Sequence, residues 1–300
     1  MGRSQEPAAH AASASRGWDI LKSGALLALL PVVLLWSYWP TIDQLIHDWR
    51  TDDDYSVGAL VPLAAAYLLW HTRGALSKCR VSPCWWGVGV VLVAQAARAF
   101  GLLFYFKSAE RYSLVLTVVG VVLLVAGRQV TREVRWILLF LFLMVPLPGR
   151  VHTLIAGPLQ NLATVGAVFM LELFGLAVVR EGNVMVLNGE VSVAVAEACS
   201  GLRMLTAFVI VAATLAYLVK RPSWQKVTLV LSSIPVAIFC NLIRLVVTAV
   251  LYLVASSETA ERFFHGFAGL TMMPLAVVVL VAELWIMSRL VVDEPVRSRS

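Results

Sequence analysis

The chain has 300 residues, of which 60% are hydrophobic and 14% charged, with a formal net charge of +6. Soluble domains are about 45–50% apolar and about 25% charged, so too few polar side chains remain to cover a soluble globule. The same figures exclude intrinsic disorder, and 12 Pro and 4 Cys exclude collagen-like and disulfide-rich chains. The basic residues lie in short clusters between apolar stretches, which indicates a membrane protein with several spans and argues against nucleic-acid binding.

Apolar stretches long enough to cross the hydrocarbon core, which takes roughly 20 helical residues, recur along the sequence. Because lipid offers no partner to a bare amide, each should be helical, and we expect an all-α integral membrane protein with about eight transmembrane helices. The predicted spans are residues 20–39, 57–71, 85–105, 112–126, 136–147, 202–219, 227–254 and 270–290. The first span ends without a small-x-small site, so we do not expect a cleaved signal peptide.

Lys and Arg in short loops predict the orientation. The basic clusters at residues 73–80, 128–135, 220–226 and 289–299 should be cytoplasmic, whereas the loop 41–56, with five Asp against one Arg, suits a solvated position on the outer side. Both termini are then cytoplasmic. Residues 1–17 are predicted to be a disordered tail, residues 18–290 a single transmembrane domain, and residues 291–300 a second tail.

This orientation places residues 149–201 on the outer face. Within them, residues 154–179 are apolar with helical spacing, and we predict an interfacial or re-entrant helix. The alternative, a ninth span, would put the basic residues 220–226 outside. Residues 181–196 alternate β-branched and polar side chains around Asn188-Gly189, which predicts a small β-hairpin on the outer face.

Two residues in the outer half of the predicted protein have settings that suggest chemistry. Cys199 lies between Glu197 and Arg203 at the start of an inward-running helix, and a helix N-terminus and a nearby cation both favour a thiolate. The alternative is a small apolar filler, which is how we interpret Cys240. Arg244 lies within a span, roughly 26 Å along the helix from Val227 at 1.5 Å per residue. It shares a face with Asn241 and either faces a cavity or extends to the outer headgroups.

His265 lies in the last predicted outer loop, where the alternative is an ordinary interfacial side chain. Three consecutive helices would therefore bring Cys199, Arg244 and His265 to one leaflet. A thiol, a guanidinium and an imidazole at one height are the groups needed for cysteine acyl transfer: the imidazole shuttles a proton and the guanidinium stabilises negative charge.

Three segments resemble the signature segments of the exosortase/archaeosortase family. They are Val195-Ala-Glu-Ala-Cys-Ser-Gly-Leu-Arg203, Asn241-Leu-Ile-Arg244 and His265-Gly-Phe-Ala-Gly269. Further matches lie upstream, at Asp54-Tyr-Ser-Val-Gly-Ala-Leu-Val-Pro62, Pro146-Leu-Pro148, Pro158-Leu-Gln160 and Glu181-Gly-Asn183. The likeness runs from about residue 20 to residue 290, in the family's order.

The resemblance implies a membrane-embedded cysteine peptidase or transpeptidase at the periplasmic face of the bacterial inner membrane. Its partners would be the bilayer and exported proteins with a C-terminal sorting signal: a motif such as Pro-Glu-Pro (PEP-CTERM-like), a transmembrane helix and a basic cluster. By the resemblance, Cys199 is the nucleophile that forms an acyl-thioester, Arg244 the proton donor or charge stabiliser, and His265 the third catalytic residue. His265 favours the bacterial branch over the archaeal one, which has Arg. Glu197 and Arg203 would be supporting residues and Asn241 an orienting one.

One departure is Val57, which occupies a position where the family commonly has His. The sequence contains no phosphate-binding glycine loop, dinucleotide fingerprint or HExxH motif, so we expect no cofactor, and Cys79 and Cys84 lack a second ligand pair for zinc. Two other functions stay open: a transporter or flippase subunit for polysaccharide assembly, which would also use an intramembrane Arg, and a non-catalytic scaffold.

Overall fold

The structure is a computed structural model that describes residues 32–34, 36–189, 191–195, 201–255 and 268–290. Over these residues it contains nine α-helices and one three-stranded sheet. The helices are α1 (Trp39–Thr51), α2 (Leu60–Leu76), α3 (Trp86–Leu103), α4 (Lys107–Val125), α5 (Gly127–Phe140), α6 (Gly149–Leu173), α7 (Leu202–Leu218), α8 (Ser223–Val254) and α9 (Ala268–Leu290). The strands are β1 (Val178–Glu181), β2 (Val184–Leu187) and β3 (Val191–Ala194), and short 3-10 helices lie at Ser56–Ala59 and Leu141–Met144.

Four of the described helices, α3, α4, α6 and α8, are long and apolar enough to cross a membrane. Helix α7 and the Pro274–Met287 part of α9 are shorter and also apolar. Exposed aromatic side chains stand at both ends of α3, as in the aromatic belts of membrane proteins: Trp85, Trp86, Phe104 and Tyr105. The mostly helical membrane fold is therefore confirmed, whereas the number of eight spans is not, and most of the first predicted span lies outside the described residues.

Two predicted loops are helical. Helix α1 continues to Thr51 through most of the predicted outer loop 41–56, and the basic residues 128–135 lie within α5 instead of in a loop. The chain turns directly from α4 into α5 at Gly127, where φ is +83° and an added Cβ would lie 1.8 Å from the Ser82 carbonyl oxygen. The predicted span 136–147 is also wrong in its extent, because the α-helix ends at Phe140 and Pro146 follows the 3-10 turn.

The predicted outer helix 154–179 has different bounds, since α6 begins at Gly149 and ends at Leu173. Its end is a Schellman motif: Gly175 has φ +83°, its N–H donates to the Glu172 carbonyl, and the Leu176 N–H donates to the Leu171 carbonyl. The residues that follow form strand β1, which the sequence analysis assigned in part to the helix.

The predicted hairpin around Asn188-Gly189 is present as β2 and β3, and both turn residues have positive φ. The hairpin prediction was incomplete, because β1 pairs antiparallel with β2 and makes a three-stranded sheet. One face of the sheet packs on α6 and α8. This apolar cluster contains Ala163, Ala167, Leu171, Met185, Leu187, Val193, Val195, Leu245, Val246 and Ala249.

The chain divides into two compact units, and one of them contains residues 32–47 and 74–138 of the described chain. Here α3 and α4 approach closely: a Cβ on Gly87 would lie 2.4 Å from the Leu124 backbone, and one on Gly120 would lie 2.7 Å from Val91. The buried Tyr38 hydroxyl is hydrogen-bonded to Ser113, Thr117 and Gln95. Beside it, Arg98 lies over the Tyr38 ring and donates to Ser37, and Thr41 donates to the buried Glu110.

The second unit contains residues 48–73 and the described residues from 139 to 290. Besides the sheet cluster, it has a core in which α7, α8 and α9 pack together. That core contains Met204, Phe208, Ala212, Ala216, Leu229, Ala237, Cys240, Ala276 and Leu280. Cys240 is therefore a small apolar core residue, as expected from its sequence context.

Candidate active site

The start of α7 is packed directly onto α8. Gly201, which precedes the helix, has φ +86°, and an added Cβ would lie 2.8 Å from the Asn241 side-chain nitrogen and 2.9 Å from its Cγ. Both the backbone conformation and the close approach require glycine at this position. Within the Cys segment (residues 195–203), Gly201, two positions after Cys199, therefore contacts the predicted orienting residue Asn241.

Arg244 lies one helical turn beyond Asn241 on the same side of α8. Asn241 is 2% exposed and Arg244 is 9% exposed, so both are buried within their unit. An arginine that extended to the lipid headgroups would keep most of its side chain exposed. The burial of Arg244 favours an inward-facing role for its guanidinium, since a charged group inside a membrane helix is costly unless it faces an interior or a cavity.

Arg203, in the first turn of α7, forms an ion pair with Asp53, with 3.2 Å between Nη1 and Oδ1. Both side chains are partly exposed, at 32% and 60%. Asp53 belongs to the acidic turn (residues 52–55) between α1 and the Ser56–Ala59 helix. The pair therefore joins the end of the Cys segment to a turn about 150 residues away in sequence.

The neighbouring carboxylate, Asp54, bonds to His152 in the first turn of α6, with 3.1 Å between Oδ2 and Nε2. This pair is much less exposed, at 8% for Asp54 and 13% for His152. The Tyr55 ring contacts the imidazole edge-on, with 5.6 Å between ring centroids. The expectation of a solvated acidic loop is thus wrong for Asp54, which is buried against α6.

The chain on the other side of Cys199 is held by α6. Gln160 donates from Nε2 to the Val195 carbonyl at 2.6 Å, and the Val195 N–H donates to the Asn183 carbonyl at 2.8 Å. Arg180 of β1 donates to Asn161, the next residue of α6. The Cys segment is therefore fixed at Val195 and again at Gly201 and Arg203, on the two sides of the candidate nucleophile.

A further contact joins the segments around Gly58 and Pro146. Trp49 donates from its indole nitrogen to the Met144 carbonyl at 3.1 Å, and a Cβ on Gly58 would lie 2.7 Å from the Trp49 indole nitrogen and 3.0 Å from the Met144 carbonyl oxygen. Gly58 thus permits the close approach of the two segments. Val57 beside it is 6% exposed, so the residue at the family's usual His position is an apolar core residue here.

A model of the transmembrane exosortase family (Exosortase_EpsH) matches residues 49–282, well over half of the chain. This chain belongs to the transmembrane exosortase family. No curated protein and no solved structure matches it. Family membership implies, in general terms, a membrane cysteine peptidase or transpeptidase, and the apolar helices agree with a multi-pass membrane protein.

Of the predicted exosortase site residues, the structure places Asn241 against Gly201 at the start of α7, Arg244 one turn farther along α8, and Arg203 in the first turn of α7. Cys199, Glu197 and His265 lie outside the described residues, so their positions stay predictions. The partners of the acidic turn were not predicted from the sequence. Nothing in the sequence links Asp54 to His152, because the two are 98 positions apart and share no spacing pattern.

Proposed function

We propose that this protein is a membrane-embedded cysteine peptidase or transpeptidase of the exosortase type. It would cleave the C-terminal, PEP-CTERM-like sorting signal of exported proteins at the periplasmic face of the bacterial inner membrane. The reaction would pass through an acyl-thioester on Cys199. Arg244 and His265 would be the other catalytic residues, with Glu197, Arg203 and Asn241 in support.

The observation that carries this proposal is the contact of Gly201 with Asn241. It supports a site shared by α7 and α8, because Gly201 is two residues from Cys199 and Asn241 is one helical turn from the buried Arg244. These contacts join two of the three segments that resemble the family's signature segments. The family match gives the same reaction class.

The proposed chemistry follows from the three groups. The Cys199 thiolate adds to the carbonyl carbon of the scissile peptide bond, and the Arg244 guanidinium stabilises the oxyanion. Collapse of this intermediate breaks the C–N bond, and the leaving amine takes a proton from His265. Water or an acceptor amine then attacks the thioester and gives up a proton to His265, and the C–S bond breaks to release the Cys199 thiolate, which restores the starting state.

An outer location of the site is supported by the length of α8. Arg244 lies 21 residues after Ser223, which is about 32 Å along the helix axis at 1.5 Å per residue. If the basic residues 220–226 are cytoplasmic, as their charge predicts, Arg244 lies close to the outer edge of a hydrocarbon core of about 30 Å. A substrate anchored by its own transmembrane helix would present its scissile bond at that height. Confinement of both proteins to one membrane reduces the entropic cost of their encounter.

The test uses an exported reporter with a C-terminal Pro-Glu-Pro motif, an apolar transmembrane helix and a basic cluster. Mass spectrometry would identify its new C-terminus in cells with the unmodified protein, Cys199→Ala or Cys240→Ala. We expect cleavage in the first and third, because Cys240 is a core residue of the same chemical type. Cleavage that persists in Cys199→Ala would contradict the proposal and favour a transporter or a scaffold.

A further inference from the structure

The acidic turn holds the first turns of two helices with two consecutive carboxylates. We propose that His152 is a positioning residue for the cleavage reaction: bound to Asp54, it fixes the acidic turn, so that Asp53 holds Arg203 and with it the chain that leads to Cys199. The effect of His152 on cleavage rests on the proposed function, because it presupposes that the protein cleaves its substrate through Cys199. It assigns a role to a histidine that belongs to none of the family-like segments.

The Asp54–His152 pair anchors the turn, because it is the less exposed of the two contacts. Its 3.1 Å bond joins side chains that are 8% and 13% exposed, and the Tyr55 ring packs against the imidazole. A hydrogen bond between two such buried groups is stronger than it would be in water, so the pair strongly favours one arrangement of the turn. His152 lies in the first turn of α6, a helix of 25 residues that also carries the sheet.

The turn transmits this constraint, since hydrogen bonds within it leave little freedom between Asp54 and Asp53. The Asp52 carboxylate accepts the Asp54 N–H at 3.0 Å, and its carbonyl accepts the N–H groups of Tyr55 and Ser56. The Ser56 hydroxyl donates to the Asp53 carbonyl at 2.8 Å. Fixing Asp54 therefore also fixes the backbone that presents the Asp53 carboxylate.

Arg203 is the residue that the fixed Asp53 carboxylate holds in place. Its ion pair with Asp53 is partly exposed, and pairs of that kind contribute little when both side chains must be ordered at the moment of contact. A carboxylate that is already held in place lowers this entropic cost. Arg203 is four residues after Cys199, so the pair limits how the Cys segment enters α7.

The experiment measures two properties of the full-length protein in detergent: the kcat and KM for cleavage of the reporter, and the rate at which iodoacetamide alkylates Cys199. The variants are His152→Ala, His152→Gln, His152→Asn, Arg203→Gln and the double variant His152→Ala/Arg203→Gln. A glutamine amide can place its N–H where the imidazole Nε2 stands, whereas an asparagine amide is too short to do so. His71→Ala is the matched control, because His71 is an exposed histidine stacked on Tyr67 in the same unit.

We expect His152→Ala, His152→Asn and Arg203→Gln to lower kcat roughly ten- to a hundredfold with KM within about twofold, since small displacements of a reacting group have effects of this size. The alkylation rate should change in the same variants. His152→Gln should keep most of the activity, His71→Ala all of it, and the double variant should be no worse than the poorer single variant.

The positioning role would be overturned by unchanged kcat in His152→Ala, by equal activity of the Gln and Asn variants, or by additive losses in the double variant. A rise in KM at constant kcat would also overturn it, because it would indicate a direct contact with substrate. If the unmodified protein leaves the reporter intact, the proposed function fails. If it cleaves the reporter and all His152 variants match it, only the positioning role fails.

Discussion

Gly201 lies so close to Asn241 that no side chain fits between their helices: a Cβ on Gly201 would come within 2.8 Å of the Asn241 amide nitrogen. This contact joins the end of the Cys segment to the helix that carries the buried Arg244. The close approach is possible because glycine has no Cβ, and the left-handed backbone of Gly201, with φ +86°, also favours glycine there. The separation of two of the predicted catalytic segments is therefore controlled by a single glycine.

Replacing this glycine should reduce both stability and cleavage. In Gly201→Ala, the left-handed backbone costs about 1–2 kcal/mol, and the clash with Asn241 adds to that cost. The control is Gly175→Ala, which has φ +83° but nothing within 4 Å of the added Cβ. We expect Gly175→Ala to lower the unfolding temperature without lowering the cleavage rate per folded molecule, whereas Gly201→Ala lowers both. Equal cleavage rates in the two variants would show that the contact has no part in the site.

Removal of the Arg244 guanidinium should remove the stabilisation of the oxyanion. We expect Arg244→Ala to lower the cleavage rate about 10²–10³-fold, which is the usual effect of removing one such donor. The control is Arg289→Ala, because Arg289 is exposed at the end of α9 and lies over the Trp285 ring. Both variants should accumulate in the membrane, as measured by immunoblot. A cleavage rate in Arg244→Ala equal to that of the control would remove Arg244 from the mechanism.

Helix α6 should lie at the outer face although it is long enough to cross the membrane. The sheet packs along its second half, and a sheet in lipid would expose unpaired edges, which bilayers do not tolerate. In addition, the acidic turn contacts the first turns of both α6 and α7. The two helices therefore begin at the same side of the membrane, which places the start of α7 at the same depth as the start of α6.

This arrangement can be tested in intact cells with a membrane-impermeant maleimide. Single cysteines at Arg150 and Phe174, both exposed positions near the two ends of α6, would be placed one at a time in a background in which all four native cysteines are replaced by Ala. We expect both to be labelled from outside, and a cysteine at Ser77 in a predicted cytoplasmic loop to be labelled only after permeabilisation. Labelling of only one end of α6 would show that the helix spans the membrane and that the predicted orientation is wrong.

Tyr38 should stabilise its own unit without taking part in catalysis. Its hydroxyl is fully buried and bonds to Ser113, Thr117 and Gln95, so Tyr38→Phe removes these three buried hydrogen bonds at a cost of about 1–3 kcal/mol. Tyr67→Phe is the control, since Tyr67 is 49% exposed. We expect Tyr38→Phe to lower the unfolding temperature in detergent with unchanged cleavage per folded molecule. A selective loss of cleavage at unchanged stability would instead indicate a catalytic role for this unit.

Composition and hydropathy were sufficient to predict a helical membrane protein, because the scarcity of polar side chains leaves no soluble alternative. The turn at Asn188-Gly189 could also be predicted from its own two residues, because Asn and Gly are the residues that most readily adopt the positive φ observed there. The ends of helices were predicted less well. The stop at Gly175 depends on a Schellman motif that apolar periodicity conceals, and α5 begins without a loop because Gly127 packs against Ser82.

In the candidate site, too, features encoded by local sequence could be predicted, whereas contacts between distant segments could not. The burial of Arg244 and its shared face with Asn241 could be predicted, because a charge in an apolar helix is expensive on the lipid side and because the two residues are three positions apart. The pairs Asp53–Arg203 and Asp54–His152 could not, since they join residues 150 and 98 positions apart, respectively, and no local pattern encodes such contacts. Gln160 was noted only as part of a family-like segment, and its bond to Val195 gives that segment a physical role.

The most direct test of the account is to look for the covalent intermediate. The purified protein would be mixed with the sorting-signal reporter, quenched in acid and analysed by mass spectrometry of the peptide that contains Cys199. We expect an adduct of the reporter's new C-terminus on Cys199 that hydroxylamine removes, and no such adduct in Cys199→Ser, whose hydroxyl is far less ionised than a thiol. Cleavage of the reporter with Cys199 unmodified throughout, or undiminished cleavage in Cys199→Ser, would contradict the account.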